Sequence, residues 1–283
     1  MRNIVLFLLC SSFILLDVVN THCEPWSFKL RRSVIDKNVL AKPAQFEMLS
    51  PEKGDNSYVI DVGLNVLPPS QLIGNSLWDF ALTGEYHRNT QTEKEQNSLI
   101  MSMSILGIVG EENKQPCVIL PQASLKYKYN KIENSNSIIL SFDTSFLYLP
   151  LKLGRIIGWE QLGFLWQPRI GLKYENIFEA KNDGPTGSIT EGYGFLDIAI
   201  FPLRARFDER LEISSAGKAW RDIYKSSEFE SDSDSYYLME YSVIYYLDED
   251  KHYALSLSYV DGENPTTGFQ KQKYSQASFK VKF

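Results

Sequence analysis

From Tyr58 onward the chain repeats one pattern, apolar residues at every second position with polar residues between them, in runs broken by polar turns. A period of two belongs to a β-strand with one apolar and one wet face. Tyr58, Ile60, Val62, Leu64 and Val66 alternate with Asp61, Gly63 and Asn65, and Pro68 and Pro69 end that run. Trp78, Phe80, Leu82 and Tyr86 alternate with Asp79, Thr83, Glu85 and His87. Leu99 to Ile105 follows, then Ile119 to Tyr129, in which Lys126 and Lys128 take the polar face. The next run, Ile138 to Tyr148, carries Asp143, and the one after, Phe164 to Tyr174, carries Arg169, Lys173 and Glu175 on its polar side. Residues 192–210 read as one long strand whose phase slips at Pro202, as at a bulge, and 218–225 as a weaker strand. Tyr237 to Tyr245, Tyr253 to Tyr259 and 273–283 complete the series, with 26–34 as the candidate first strand. The total is about twelve strands, most near the ~9–11 residues that a tilted transmembrane strand needs.

The last run is the most telling. Ala277, Phe279, Val281 and Phe283 fall on one face, and Gln276, Ser278, Lys280 and Lys282 on the other, so the chain stops on an apolar aromatic. Termini of soluble domains usually fray. An apolar strand at the very end makes sense where it closes a barrel whose outer face meets lipid. This ending resembles the closing strand of Gram-negative outer-membrane β-barrel proteins. The resemblance implies an all-β, antiparallel up-and-down transmembrane β-barrel in the bacterial cell outer membrane. It also implies that Phe279, Val281 and Phe283 form the signal read by the barrel assembly machinery, and that outer-membrane lipid and lipopolysaccharide surround the protein.

An even strand number fits single-chain bacterial barrels. With the C-terminus in the periplasm, the turn at 248–251 is short and periplasmic, and the acidic serine segment 226–235 is long and external. Segments 67–75 and 150–161 are long for periplasmic turns. Aromatics such as Trp78 and Tyr86, or Tyr253 and Tyr259, stand near opposite strand ends, where two interfacial girdles would need them. The competing reading is a soluble all-β protein with its aromatics in a core.

Composition narrows the choice. Sixteen Tyr, sixteen Phe and five Trp supply girdles and strands alike, and a net charge of −6 speaks against a nucleic-acid partner. Residues 1–23 read as a signal peptide, with Arg2 before an apolar run from Ile4 to Leu16 and small residues Thr21 and Cys23 at a cleavage site. Lipidation of Cys23 is the alternative, with His22 standing where a small residue is expected. The barrel is then 24–283, in which Cys117 is the single cysteine and reads as a packing residue.

The polar faces define a lumen. Asp61, Asp79, Glu85, His87, Asp143, Glu175, Asp197 and Glu240 line it with Lys126, Lys128, Arg169, Lys173, Lys280 and Lys282, and the phase slip adds Arg204 and Arg206. Two functions follow from it, a narrow polar pore for small solutes or a salt-bridged interior with an envelope structural role. Acidic and basic residues interleave, so strong anion selectivity is not indicated. A lipid hydrolase would need a nucleophile and an orienting acid around His87 or His252, and neither histidine has the His-x-Ser spacing of barrel phospholipases. A surface binding protein would use the loops at 226–235 and 261–268. The acidic loop lacks the glycine of a calcium loop, and no phosphate loop, dinucleotide fingerprint or zinc spacing appears, so no cofactor or metal is expected.

Overall fold

Alternation at period two puts every apolar residue of a strand on one surface, and that surface must be covered. The computed structural model describes residues 26–31, 44–51, 57–73, 76–90, 96–110, 117–132, 134–148, 156–180, 186–226, 235–263 and 271–281. In chain order the strands are β1 (Ser27–Arg31), β2 (Ala44–Pro51), β3 (Ser57–Leu67), β4 (Gln71–Ile73), β5 (Ser76–Asn89), β6 (Gln96–Ile108), β7 (Cys117–Asn130), β8 (Ser135–Tyr148), β9 (Ile157–Trp159) and β10 (Leu162–Glu179). They continue with β11 (Gly187–Pro202), β12 (Leu211–Lys225), β13 (Ser235–Tyr246), β14 (Tyr253–Glu263) and β15 (Lys271–Val281); a single helical turn, α1 (Arg204–Phe207), joins β11 to β12.

Twelve of these, β2, β3, β5 to β8 and β10 to β15, form a closed antiparallel up-and-down barrel. The seam is β15 on β2, in register from Tyr274 opposite Pro51 to Val281 opposite Ala44, and β3 completes the ring by pairing β5. Closure leaves no barrel edge free. Strands β14 and β15 hold 11 residues each. At ~3.3 Å per residue and a tilt of ~45° that is about 26 Å, the height of the ~25 Å apolar band of a membrane barrel.

The faces are inverted relative to a soluble protein. Outward Met101, Ile170 and Leu257 are 58%, 56% and 67% exposed, whereas inward Asn65, Glu85 and Glu191 are 0–1% exposed. So much apolar surface on the outside is compatible with lipid and not with water. Rings stack along the outer seam, Tyr253 on Phe279 at 6.4 Å and Phe46 on Tyr58 at 6.1 Å between centroids. Among the described residues no helix is long and apolar enough to cross a membrane.

The candidate first strand at 26–34 is present as β1, which shares the first stave with β2; two other local expectations need correction. The short strand β1 lies end to end with β2 on the same edge of β3, with Arg31 opposite Gly63 and Gln45 opposite Asp61. The long strand expected to run through Pro202 stops there. Leu203, Asp208 and Glu209 take positive φ around α1, which turns the chain back into β12 seven residues earlier than expected, at Leu211 rather than 218. Within segments 67–75 and 150–161, long for turns, the described residues include two short strands, β4 paired with β5 and β9 paired with β10. In the second hairpin Gly158 (φ 153°) sits so close to the Leu162 carbonyl that no Cβ fits. Finally, the shortest connection, 131–134, lies at the end away from the C-terminus and the longest, 149–161, at the C-terminal end, so connection length does not orient the barrel. These ends are called distal and terminal below.

Candidate functional site

The lumen is the one place where this fold gathers chemistry, because pairing sets the polar faces of twelve strands toward a common axis. Its lining is uneven. Strands β3, β5, β7, β8, β10 and β11 contribute long charged side chains, whereas β12 to β15 contribute many small ones, among them Ser214, Ala216, Ser242, Ser256, Ser258 and Ser278.

Three clusters organise the charged wall. Asp61 and His87 are direct partners on β3 and β5, and their side chains meet at 2.7 Å through Nδ1; the other ring nitrogen lies 3.1 Å from Glu85. Lys126 reaches Glu85 at 3.8 Å from two strands away. Further round, Arg169 donates to Asp197 at 2.9 Å, and the Tyr193 hydroxyl donates to Asp143 at 3.5 Å across the intervening β10. Gly171 makes that reach possible, since a Cβ there would collide with the Tyr193 ring. In the third cluster Lys173 lies 2.8 Å from both Glu175 and Glu191, and Ser137 donates to Glu175 at 2.9 Å. A charge withdrawn from water is tolerated only when paired in this way.

Lys128 faces the lumen opposite Ser137, nearer the distal end than Lys126. Glu240 accepts from Ser242 at 3.3 Å, and Lys280 is a buried lumen residue of β15. Asp79 stands near the terminal end and accepts a hydrogen bond from Ser70. Arg204 and Arg206 are not on a lumen strand. Both ride on α1, where Arg204 pairs with Glu209 at 2.7 Å and Arg206 is exposed. Phe279 points outward at 43% exposure and Val281 is the last residue of β15, while Lys282 and Phe283 lie outside the described residues.

Aromatic residues enter the lumen as well. Tyr193, Trp220 and Tyr236 are consecutive partners on β11, β12 and β13. Beside them the Phe195 ring lies between Arg169, at 5.3 Å, and Lys218, at 5.0 Å, in a double cation–π stack. Sequence reasoning placed Asp197 in the lumen and missed Tyr193 and Phe195, which share its face by parity alone. Glu191, Glu212 and Glu47 were missed too, each buried in the same interior.

Toward the terminal end the lining turns apolar. Ala81, Leu106, Val118, Leu165, Ala199, Phe201, Ile244 and Ala254 face inward and are all buried. Leu165, Ala199 and Phe201 pack as one cluster with Ile156 against it. Lys251, from the β13–β14 turn, places its ammonium 5.4 Å from the Phe201 and Tyr246 rings and 3.4 Å from Glu209. On the β10–β11 wall, paired charge on the distal side thus gives way to an apolar patch toward the terminal end, while Asp79, Glu212 and Lys280 keep charged side chains at that end elsewhere around the lumen.

The same turn holds the one group among the described residues with metal-ligand spacing, Asp248, Asp250 and His252. Asp248 already accepts from the backbone N–H groups of His252 (3.0 Å) and Tyr253 (2.9 Å) and contacts His252 Nδ1 at 2.8 Å. Desolvation raises the Asp248 carboxyl, and the two backbone N–H groups together with His252 outweigh it, leaving it below the usual carboxylate range. Those bonds explain the cluster as a turn clamp. His87 does not form a nucleophile pair either, since both of its ring nitrogens face carboxylates.

No protein-family model matches the sequence, and no curated protein matches it. Among solved structures the chain is similar to the NanC porin, at 8% identity and a TM-score of 0.47 over 85% of this chain and all of that one. It is similar to the transport unit of the autotransporter AIDA-I from Escherichia coli, at 8% identity and a TM-score of 0.47, over 95% of this chain and 94% of the other. A third is the KdgM porin, at 10% identity and a TM-score of 0.38, over 85% and 98%.

Proposed function

We propose that this chain is a bacterial outer-membrane barrel that acts as a narrow, normally closed path for small solutes. The observation that carries this reading is the sequence of environments along the lumen. A polar region of paired charges leads, on the β10–β11 wall, to a cluster of buried apolar side chains formed by Leu165, Ala199 and Phe201. Paired charges accommodate water and small polar solutes, and an apolar constriction opposes wetting. In this reading Phe279, Val281 and Phe283 serve the assembly machinery, and lipid and lipopolysaccharide contact the outer face.

Outer-membrane fractionation and heat-modifiable gel migration test the location; a chain that is soluble without detergent refutes it. Planar-bilayer conductance tests the path. The wild type is expected to be nearly silent and the double variant Leu165→Ala, Phe201→Ala to conduct in steps. A large steady wild-type conductance refutes the closed path. Silence in both proteins favours the second reading, an envelope structural role, which the near-complete burial of the lumen charges also supports.

A further inference from the structure

The inner wall formed by β3, β5, β6 and β7 carries a patch that the charge clusters do not use. Asn65, Thr83, Ser102, Ser104, Gln122 and Ser124 lie buried on its lumen face, and none is charged. Register makes the patch continuous: Asn65 faces Thr83, Thr83 faces Ser102, and Ser104 faces Ser124. Some of these groups satisfy one another. Thr83 donates to Asn65 Oδ1 at 2.6 Å, and Ser124 meets Ser141 of β8 at 2.6 Å. Four groups are left over. Asn65 Nδ2, Ser102 Oγ, Ser104 Oγ and Gln122 Nε2 have no hydrogen-bond partner among the described residues, although their residues are only 0–8% exposed. Across the ring, Ser256 Oγ on β14 and Gln276 Oε1 on β15 are also buried and without a hydrogen bond. Leaving a buried polar group unpaired is costly, and native folds keep few such groups.

We propose that this patch is a selectivity site for small uncharged solutes rich in hydroxyl or amide groups, which hydrogen-bond to Asn65, Ser102, Ser104 and Gln122 as they cross the lumen. The inference deepens the path proposed above and rests on it. The chemistry of the leftover groups selects the solute class. Two are amide N–H donors, and two are hydroxyls that both donate and accept, so a small polyol or amide matches them. The formal charges around the patch are already answered. His87 faces Asp61 and Glu85, Lys126 faces Glu85, and Arg169 faces Asp197. Asp143, the cross-strand partner of Gln122, accepts from the Tyr193 hydroxyl. Arg169, Glu191 and Asp222 each keep an atom without a hydrogen bond, yet each holds an opposite charge, on Asp197, Lys173 and Lys225. An ion at the patch would lose its water and gain no counter-charge, whereas an uncharged solute exchanges water bonds for protein bonds. The patch also stands in the way. It lies between Glu85 and Ala81 on β5 and between Lys126 and Val118 on β7, so a solute leaving the paired charges meets it before the buried apolar residues of these strands.

The test is stopped-flow light scattering of proteoliposomes that hold the full chain opened by Leu165→Ala, Phe201→Ala. The probe is erythritol, a small polyol that crosses lipid slowly, and planar-bilayer conductance in KCl is measured in parallel. The opened barrel is expected to admit erythritol at least tenfold faster than vesicles without protein. Adding Ser102→Ala and Ser104→Ala should slow erythritol at least fivefold and leave the KCl conductance within about twofold, since the change removes two hydroxyls and adds neither charge nor bulk. Heat-modifiable migration verifies folding of each variant, and Gln122→Leu takes the place of the serine pair should that variant not fold. A slowing shared equally by ions, or no slowing of erythritol, overturns the proposal. Fast osmotic water flow without erythritol entry overturns it too, and assigns the groups to water alone. An opened barrel that conducts ions and excludes erythritol sinks this inference only, whereas one that admits neither sinks the path reading along with it.

Discussion

Replacing Lys173 by methionine measures how dry the lumen is. Its ammonium lies 2.8 Å from Glu175 and 2.8 Å from Glu191, its direct partner on β11. Glu191 is 1% exposed. Methionine keeps most of the packing of the lysine stem and removes the charge, leaving two carboxylates facing each other. Where water is excluded, removing one partner of a buried pair costs about 3–5 kcal/mol, because the remaining charge is uncompensated. Where water fills the lumen, the same pair behaves as a surface ion pair and its loss costs ~0–1 kcal/mol. The burial of Glu191 places the expected result in the first range. Urea unfolding of the barrel in lipid vesicles, followed by tryptophan fluorescence, reads the difference directly. The triple variant Lys173→Met, Glu175→Gln, Glu191→Gln separates charge from packing and should recover most of the loss, since removing all the charges together removes the desolvation cost. A loss below about 1 kcal/mol in the single variant refutes the dry-lumen reasoning and favours an open aqueous channel at this level.

Other expectations follow from individual contacts. Gly171→Ala should drive the Tyr193 ring off β10, break its bond to Asp143 and cost about 1–3 kcal/mol in the same unfolding assay, as overpacking does. Asp248 has a depressed carboxyl pKa, so its clamp on the 247–252 turn is fully present above the ordinary carboxylate value of ~3.9 and is lost as pH falls below it. Amide-exchange protection of the His252 and Tyr253 N–H groups should therefore be unchanged from pH 7 to pH 5, fall on further acidification, and be absent at all pH values in Asp248→Ala. Phe279→Ala removes the ring stacked on Tyr253, worth about 0.5–1.5 kcal/mol as an aromatic pair. It should reduce the yield of heat-modifiable barrel in cells; an unchanged yield refutes an assembly role for that ring.

Much of the barrel was legible because strand parity is local. Asp61, Glu85, Lys126, Arg169 and Lys173 each sit between apolar neighbours, and period two alone assigns them to one face. Two kinds of feature were not local. The eight residues of β2 lie just after Pro43 and end at Pro51, and they earn their place as a stave only by pairing with β15, more than 220 positions away. At Pro202 a phase slip read as a bulge hid a chain reversal that depends on positive φ at Leu203, Asp208 and Glu209, all without glycine. Both errors arise because alternation reports which way a side chain points and says nothing about which strand lies beside it.

The same limit explains what the lumen added. The sequence reading gave Tyr193 and Phe195 no face, although they share the phase of Asp197 and therefore face inward. The Phe195 ring then adds cation–π contacts to Arg169 and Lys218. In the apolar cluster, Leu165 and Ala199 meet only because the β10–β11 register sets them opposite one another. A barrel of this length can thus keep its alternation intact while shifts in register decide whether the interior conducts, seals or pairs its charges. Function in such a fold is written in the circumferential rows, and a one-residue slip of β11 against β10 would turn Ala199 and Phe201 outward and bring Ile198 and Ile200 to the inner face beside Leu165 without changing a single hydrophobic count.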